Sequence, residues 1–438
     1  MKAMCLKPVA DCRDDIASRL DAIETNSPLN AILGVNPDAI ALAEHCYRAA
    51  RRGITFGPLH GLPIIIKDNI ACAGMPITLG CRGLASLRAA CDSLAVQRLR
   101  DAGAIIFARA NMSEFAFDVR SRSSLGGDVR NPLQPEITAG GSSGGCAAAV
   151  AAGMADGALG TDTGGSIRIP ASYNGLVGLR PAYRREMLEG VAPLSLSKDT
   201  VGPMVHTVRD AALLHAIIHG HKPAPLQQIP LSGLRLGVIS GLEGNDEAQG
   251  KVWHAALDTL QRAGAAIVSV TLPELETVRQ TTCLSVYEFR VAFDAWLKGY
   301  ANAPAGLAAI FASEQFLPEF SPFITRLLEE NSLKSPEWLA GRRFRRRLRQ
   351  RLGDVLVENG LQGLLYPTVN QLPISLEKMP PGCAPELAAI SGLPALTLPC
   401  GISSRGLPVG MEILSGRRDE ALLLSVALAC ETALNTSG

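Results

Sequence analysis

The stretch Gly140-Gly141-Ser142-Ser143-Gly144-Gly145-Cys146-Ala147-Ala148-Ala149-Val150-Ala151-Ala152 passes from a glycine-serine loop into an alanine-rich run, and Ala158-Leu159-Gly160-Thr161-Asp162-Thr163-Gly164-Gly165-Ser166 restores the glycine punctuation soon after. The alanine run predicts a helix that starts on the first glycine loop. The second stretch reads as another polar loop. Two such loops around a helix of small residues mark where a site belongs, because functional groups concentrate on loops carried by rigid elements. Upstream, Gly61-Leu62-Pro63-Ile64-Ile65-Ile66 is an apolar, β-branched run that predicts a buried strand ending in Lys67-Asp68-Asn69. A helical pattern over 93–102 then leads through Gly103 into a second buried strand, 104–108. Strand, helix and strand in alternation predict an α/β fold.

The periodicity is similar farther out. Asp14 to about Arg52 predicts two amphipathic helices broken at Ser27-Pro28, and 234–239 and 265–270 predict strands around a helix over 252–263. Residues 280–360 are expected to be mostly helical. Runs at 364–366, 395–398 and 409–413 return to strand, before a last helix over 419–434. No internal repeat or low-complexity linker divides the chain, so 1–438 is expected to form one domain.

Charge removes several function classes. The 438 residues carry 42 Lys+Arg against 41 Asp+Glu, a net charge of +1. Binding to nucleic acid or a membrane through bulk charge is not expected. With 47% hydrophobic residues, the chain is expected to be folded rather than disordered. Its 11 cysteines are odd in number and include no C-x-x-C pair, which fits reduced thiols in a cytoplasm better than disulfides or a zinc site. Met1 to Asp15 carries Asp11, Arg13, Asp14 and Asp15 where a secretion signal would need an apolar core, and Cys146 to Gly160 is too short for a membrane span and is interrupted by Asp156.

Several partial motifs can be set aside. Gly141-Ser142-Ser143-Gly144-Gly145 fits the G-x-S-x-G elbow with Ser143 at its centre, but the elbow needs a strand before it and a histidine partner, and no histidine here sits in a distinguishing motif. Asp162-Thr163-Gly164 occurs once, whereas an aspartic protease needs two carboxylates. No lysine follows the glycine loop as a phosphate-binding loop requires. Lys67 is more informative. A lysine becomes a base near neutral pH only when burial lowers its pKa, and Lys67 closes an apolar strand. Gly164 and Gly165 allow consecutive N–H groups to converge as an anion-binding nest, with Ser166 beside it and Ser142 able to relay a proton. Position alone favours reading Lys67 as an ordinary strand-end lysine paired with Asp68, and pattern alone leaves the two loops level with structural turns.

These segments together resemble the amidase signature family. The resemblance is carried by Lys67 in the 61–69 stretch, by 140–145, and by Gly160 through Ser166 to Ile167-Arg168-Ile169-Pro170, with the two serines 24 residues apart. It extends to Arg130-Asn131-Pro132, Asp199-Thr200-Val201-Gly202-Pro203-Met204, 392–394 and 406–410. It implies a mixed, twisted β-sheet covered by helices on both faces, a signature core over about 55–210 and a helical substrate-side insertion over about 280–360. It further implies Ser166 as nucleophile, Ser142 as a bridging serine on a cis peptide, and Lys67 as base. The N–H groups of Thr163, Gly164, Gly165 and Ser166 would form the oxyanion hole, with Gly141, Ser143 and Asp162 supporting the loops or binding substrate. Neither metal nor organic cofactor is implied. The expected partner is a small amide substrate, with a homodimer as the candidate assembly.

The implied activity is hydrolysis of a small carboxamide, with 57–61 and 111–117 most similar to indoleacetamide and mandelamide hydrolases. Phe115, Phe117 or Tyr173 would favour an aryl group if they line the pocket, and equally they could be core residues. Allophanate or carboxybiuret hydrolysis, peptide C-terminal amide hydrolysis and the glutaminase subunit of a tRNA-dependent amidotransferase are the alternatives. Two departures from the family pattern are Cys146, where Ser or Thr is frequent, and Arg109, where Lys is. Seven arginines fall within 342–351, but Phe344, Leu348 and Leu352 share one helical face, which predicts a packed helix with a solvated or interface side.

Overall fold

The computed structural model describes residues 6, 8–9, 11–280, 284–329, 333–380, 386–416 and 418–435. Part of the 1–15 segment, Cys5, Cys283 and Cys383 lie outside the described residues. Eleven strands form one mixed sheet: β1 (Ile32–Val35), β2 (Pro63–Lys67), β3 (Ile105–Ala110), β4 (Gly157–Asp162), β5 (Val177–Arg180), β6 (Thr200–Val205), β7 (Arg235–Ile239), β8 (Ala266–Val270), β9 (Gly363–Pro367), β10 (Ala395–Ile402) and β11 (Pro408–Leu414). Their order is β1-β3-β2-β4-β6-β5-β10-β11-β9-β7-β8. The strands β3-β2-β4 run parallel at one end and β9-β7-β8 at the other, while the middle is antiparallel.

Both faces of this sheet are covered, as alternation along β2 and β3 shows. Ile64, Ile66 and Ile106 join a core with helices Leu94–Asp101, Val208–Ile218, Glu247–Arg262 and Glu420–Asn435. Ile65, Ile105 and Phe107 face the other way, against helices Cys12–Thr25, Ala39–Ala50 and Gly144–Ala151. A strand buried on both faces has to be apolar at successive positions, which is why the Ile64-Ile65-Ile66 run could be read from sequence. The expected 280–360 region contains helices Ser285–Leu297, Leu307–Ser313, Ser321–Glu329 and Pro336–Asn359. The last of these packs Phe344, Leu348 and Leu352 on the β9 side of the sheet, with Leu364 and Leu414.

Three central strands differ from expectation. Residues 158–162, read as loop, belong to β4, and β5 and β6 fall where no strand was expected. All three carry glycine, and β6 carries Pro203, which depresses strand propensity. Packing requires those glycines. A Cβ on Gly178 would lie 2.6 Å from Ala171 Cβ, and one on Gly160 would lie 2.8 Å from Ser143 Oγ. The short strand β1 also interrupts the predicted helical pair between its two helices.

Candidate active site

The parallel pair β2 and β4 ends at one edge, and the ends of both strands meet the 140–145 loop. Lys67, the last residue of β2, is completely buried. Its Nζ donates to Ser142 Oγ at 2.7 Å and to Thr161 Oγ1 at 2.8 Å. Asn69 Nδ2 also donates to Thr161 Oγ1, at 3.0 Å, which fixes that hydroxyl from the other side. Burial pulls the Lys67 pKa down to about 7, against the opposing pull of Cys146, Asp162 and Asp199. An amine in this state can accept a proton near neutral pH. Cys146, the rival thiol, is buried in its helix, donates to Leu159 O, and is pushed up to about 12 by desolvation. It is therefore a packed thiol rather than a thiolate.

The 140–145 loop is gripped by the segment over 111–121. The Gly141–Ser142 peptide bond is cis. Ser142 O accepts the Ser113 N–H at 3.1 Å, Ser121 Oγ accepts the Gly144 N–H at 2.9 Å, and Asn111 O accepts the Gly145 N–H at 3.2 Å. A Cβ on Gly141 would stand 2.6 Å from Ser113 Oγ, so no larger residue fits there. Ser143, the elbow candidate, is buried, donates through Oγ to Thr161 O at 3.2 Å, and donates through its N–H to Ser166 O at 3.2 Å. It ties the two loops together.

The second loop leaves β4 at Asp162. The Asp162 carboxylate accepts the N–H groups of Gly165 (3.0 Å) and Ile167 (3.2 Å) and pairs with Arg168 (3.1 Å) and Arg180 (2.8 Å). Burial alone would raise the Asp162 pKa, but the two guanidiniums hold it well below the ordinary carboxylate range. Arg168 also pairs with Glu412, which accepts the Tyr366 hydroxyl at 2.7 Å. Gly165 has φ +124°, a conformation that suits only glycine, and its N–H is held by Asp162. Ser166 follows, 6% exposed, and among the described residues its hydroxyl has no hydrogen-bond partner.

The structure thus joins Lys67 to Ser142 directly and Ser142 to Ser166 through neighbouring backbone, without a hydrogen bond between the two serine hydroxyls. Thr161, Asn69 and Asp199 were not assigned roles from sequence. Thr161 lies within a quoted motif, but only the fold shows that its side chain points at Lys67. Arg109 is buried, with Cys72 and Asp68 as partners, and makes no hydrogen bond to Lys67, Ser142 or Ser166 among the described residues. Phe115 is buried among Phe117, Phe289 and Phe293, while Tyr173 packs with Ile169 and Val369. Among the described residues no helix is long and apolar enough to cross a membrane.

Comparison with known proteins follows the same lines. Residues 16–424 match the model of the family described as Amidase. The chain is 34% identical to an indoleacetamide hydrolase from Pseudomonas savastanoi, covering 86% of this chain and 84% of that protein. It is also 34% identical to one of the chains of the glutamyl-tRNA(Gln) amidotransferase of Acidobacterium capsulatum, covering 94% of each. Among solved structures, the peptide amidase of Stenotrophomonas maltophilia superposes with a TM-score of 0.85 at 32% identity, over 97% of this chain and 94% of that one. With its fold, its buried lysine beside two glycine-serine loops and a match over nearly its whole length, the chain belongs to the amidase signature family and is an enzyme that hydrolyses amides.

Proposed function

We propose that the protein hydrolyses a small carboxamide to a carboxylate and ammonia through Ser166, Ser142 and Lys67. The observation that carries this reading is the 2.7 Å contact between Ser142 Oγ and the Nζ of a fully buried Lys67, whose pKa lies at about 7. Ser166 Oγ attacks the amide carbonyl carbon while its proton passes to Ser142, whose own proton passes to Lys67. The negative oxygen of the tetrahedral intermediate is held by the N–H groups of Thr163, Gly164 and Ser166, whereas that of Gly165, the fourth expected donor, is already given to Asp162 Oδ1. The C–N bond then breaks, and Lys67 returns the proton through Ser142 to the departing nitrogen. Water, activated by the same relay, cleaves the acyl ester and frees Ser166.

On this reading the whole chain is one catalytic unit. Residues 55–210 hold the chemistry, and the helices of 280–360 face the substrate side. An arylacetamide is the favoured substrate. The support comes from the indoleacetamide hydrolases among the relatives, while Phe115 and Phe117 pack into a core cluster with Phe289, Phe320 and Phe323. The structural likeness to a peptide amidase supports a second reading, hydrolysis of a peptide C-terminal amide.

The test is ammonia release from indole-3-acetamide, mandelamide, a C-terminally amidated dipeptide, carboxybiuret, allophanate and glutamine, with wild type and Ser166→Ala. Turnover of the arylacetamides with a loss of about 10³-fold or more in Ser166→Ala is expected. Hydrolysis that survives in Ser166→Ala would remove the nucleophile assignment. Preferential turnover of the dipeptide amide would move the substrate to the second reading.

A further inference from the structure

Thr163 opens the 163–166 loop, and it is the one residue there whose side chain is tied down among the described residues. Its Oγ1 donates to Asp199 Oδ1 at 2.6 Å, and Asp199 Oδ2 accepts the N–H groups of Leu194 at 2.8 Å and Ser195 at 2.9 Å. The carboxylate is buried and meets three donors. Its segment is held from the far side as well. Glu288, on the helix Ser285–Leu297, accepts Ser195 Oγ at 2.6 Å, Ser197 N–H at 3.1 Å and Trp338 Nε1–H at 3.0 Å. A chain of hydrogen bonds therefore runs from the helical region to the proposed oxyanion loop.

We propose that Asp199 is a positioning residue for amide hydrolysis: by accepting from Thr163 Oγ1 it fixes the Thr163 peptide so that its N–H points at the forming oxyanion. The proposal rests on the oxyanion role assigned to 163–166 above. Donors aimed in advance at a developing charge are worth most where water is excluded, and a peptide that can swing loses that advantage. The ionised form serves this best, because Oδ2 already accepts two N–H groups and a proton on Oδ1 would weaken it as the acceptor for Thr163.

Desolvation raises the Asp199 pKa to about 6. The charged and titratable groups around it are Lys67 at the end of β2, Arg180 at the end of β5, Tyr183 after it, and Glu288 from the helical region. Activity then needs a neutral Lys67 and an ionised Asp199. Below about pH 6 the acid limb of kcat/KM should fall more steeply than one ionisation allows, over one to two pH units.

The experiment is steady-state kinetics across pH on a turned-over amide, with wild type, Asp199→Asn, Thr163→Val, Thr163→Ser and the Asp199→Asn/Thr163→Val pair. In Asp199→Asn, kcat should fall about 10- to 100-fold with little change in KM. Its acid limb should flatten to a single ionisation and move to lower pH, since Asp199 raises the Lys67 pKa. Thr163→Val should match that loss, Thr163→Ser should recover most of the rate, and the double variant should be no slower than the slower single one. A wild-type kcat in Thr163→Val, additive losses in the pair, or an unchanged limb in Asp199→Asn would overturn the proposal. If Asp199→Asn does not fold, the Thr163 variants decide alone. Failure of the underlying reading appears separately, as hydrolysis that survives in Ser166→Ala.

Discussion

Lys67 is an amine held out of water with two hydroxyls as its hydrogen-bond partners, and burial takes its pKa down to about 7. Two pH effects follow. A neutral amine is needed to accept the serine proton, so kcat/KM should rise with pH through about 7, and a pH profile checks this. For stability, the folded pKa lies below that of the unfolded chain, so below about pH 7 the fold carries a charge it disfavours. Stability should rise between about pH 7 and about pH 10.4, where only the unfolded chain still binds the proton. Lys67→Met, which keeps the shape and removes the charge, should abolish turnover yet raise stability at pH 7 by on the order of 2 kcal/mol, read by denaturant melts. At this scale much was legible. Lys67, Ser142 and Ser166 sit in motifs that the family resemblance singles out, whereas Asp199 and Thr163 are 36 residues apart and only the fold makes them neighbours.

At the scale of elements, the glycine loops depend on what anchors their ends. Asp162 closes β4 and Arg168 opens the helix Arg168–Tyr173, and both are fully buried with Arg180 and Glu412. Removing one member of a buried ionic cluster leaves its partners desolvated and unpaired. Arg168→Met should therefore cost about 3–5 kcal/mol in urea unfolding, while a loss under about 1 kcal/mol would mean the cluster relaxes freely. The depressed Asp162 pKa adds stability above the ordinary carboxylate range, and that contribution should fade as pH falls below about 4. The strands missed from sequence belong here too. β4, β5 and β6 bear glycine where neighbours pack closely, as Ala171 and Ile167 do on Gly178 and Ser143 and Met204 on Gly160, and propensity carries no record of that packing. The isoleucine run of β2 was readable because its own side chains fill both cores.

Across the whole molecule, the aromatic cluster fastens the helices of 285–329 to the segment over 115–117. Phe289 is buried and meets Phe115, Phe117 and Phe293. Phe289→Ala should cost about 3–5 kcal/mol and loosen the 111–121 segment that grips the serine loop, so kcat should fall along with the thermal midpoint. A fold class could be reached from local periodicity, but strand order could not. In this sheet β5 pairs with β10, and no local pattern encodes a partner so far along the chain.

That pairing also sets a schedule for biosynthesis. At about 5–20 residues per second, the β5 edge leaves the ribosome roughly 10–40 s before residues 395–397, which must cover it. For that interval Val177–Arg180 offers open backbone to any neighbouring chain. Stalling translation between positions 210 and 390 should therefore give nascent chains that aggregate or hold chaperones, whereas release of the complete chain should not.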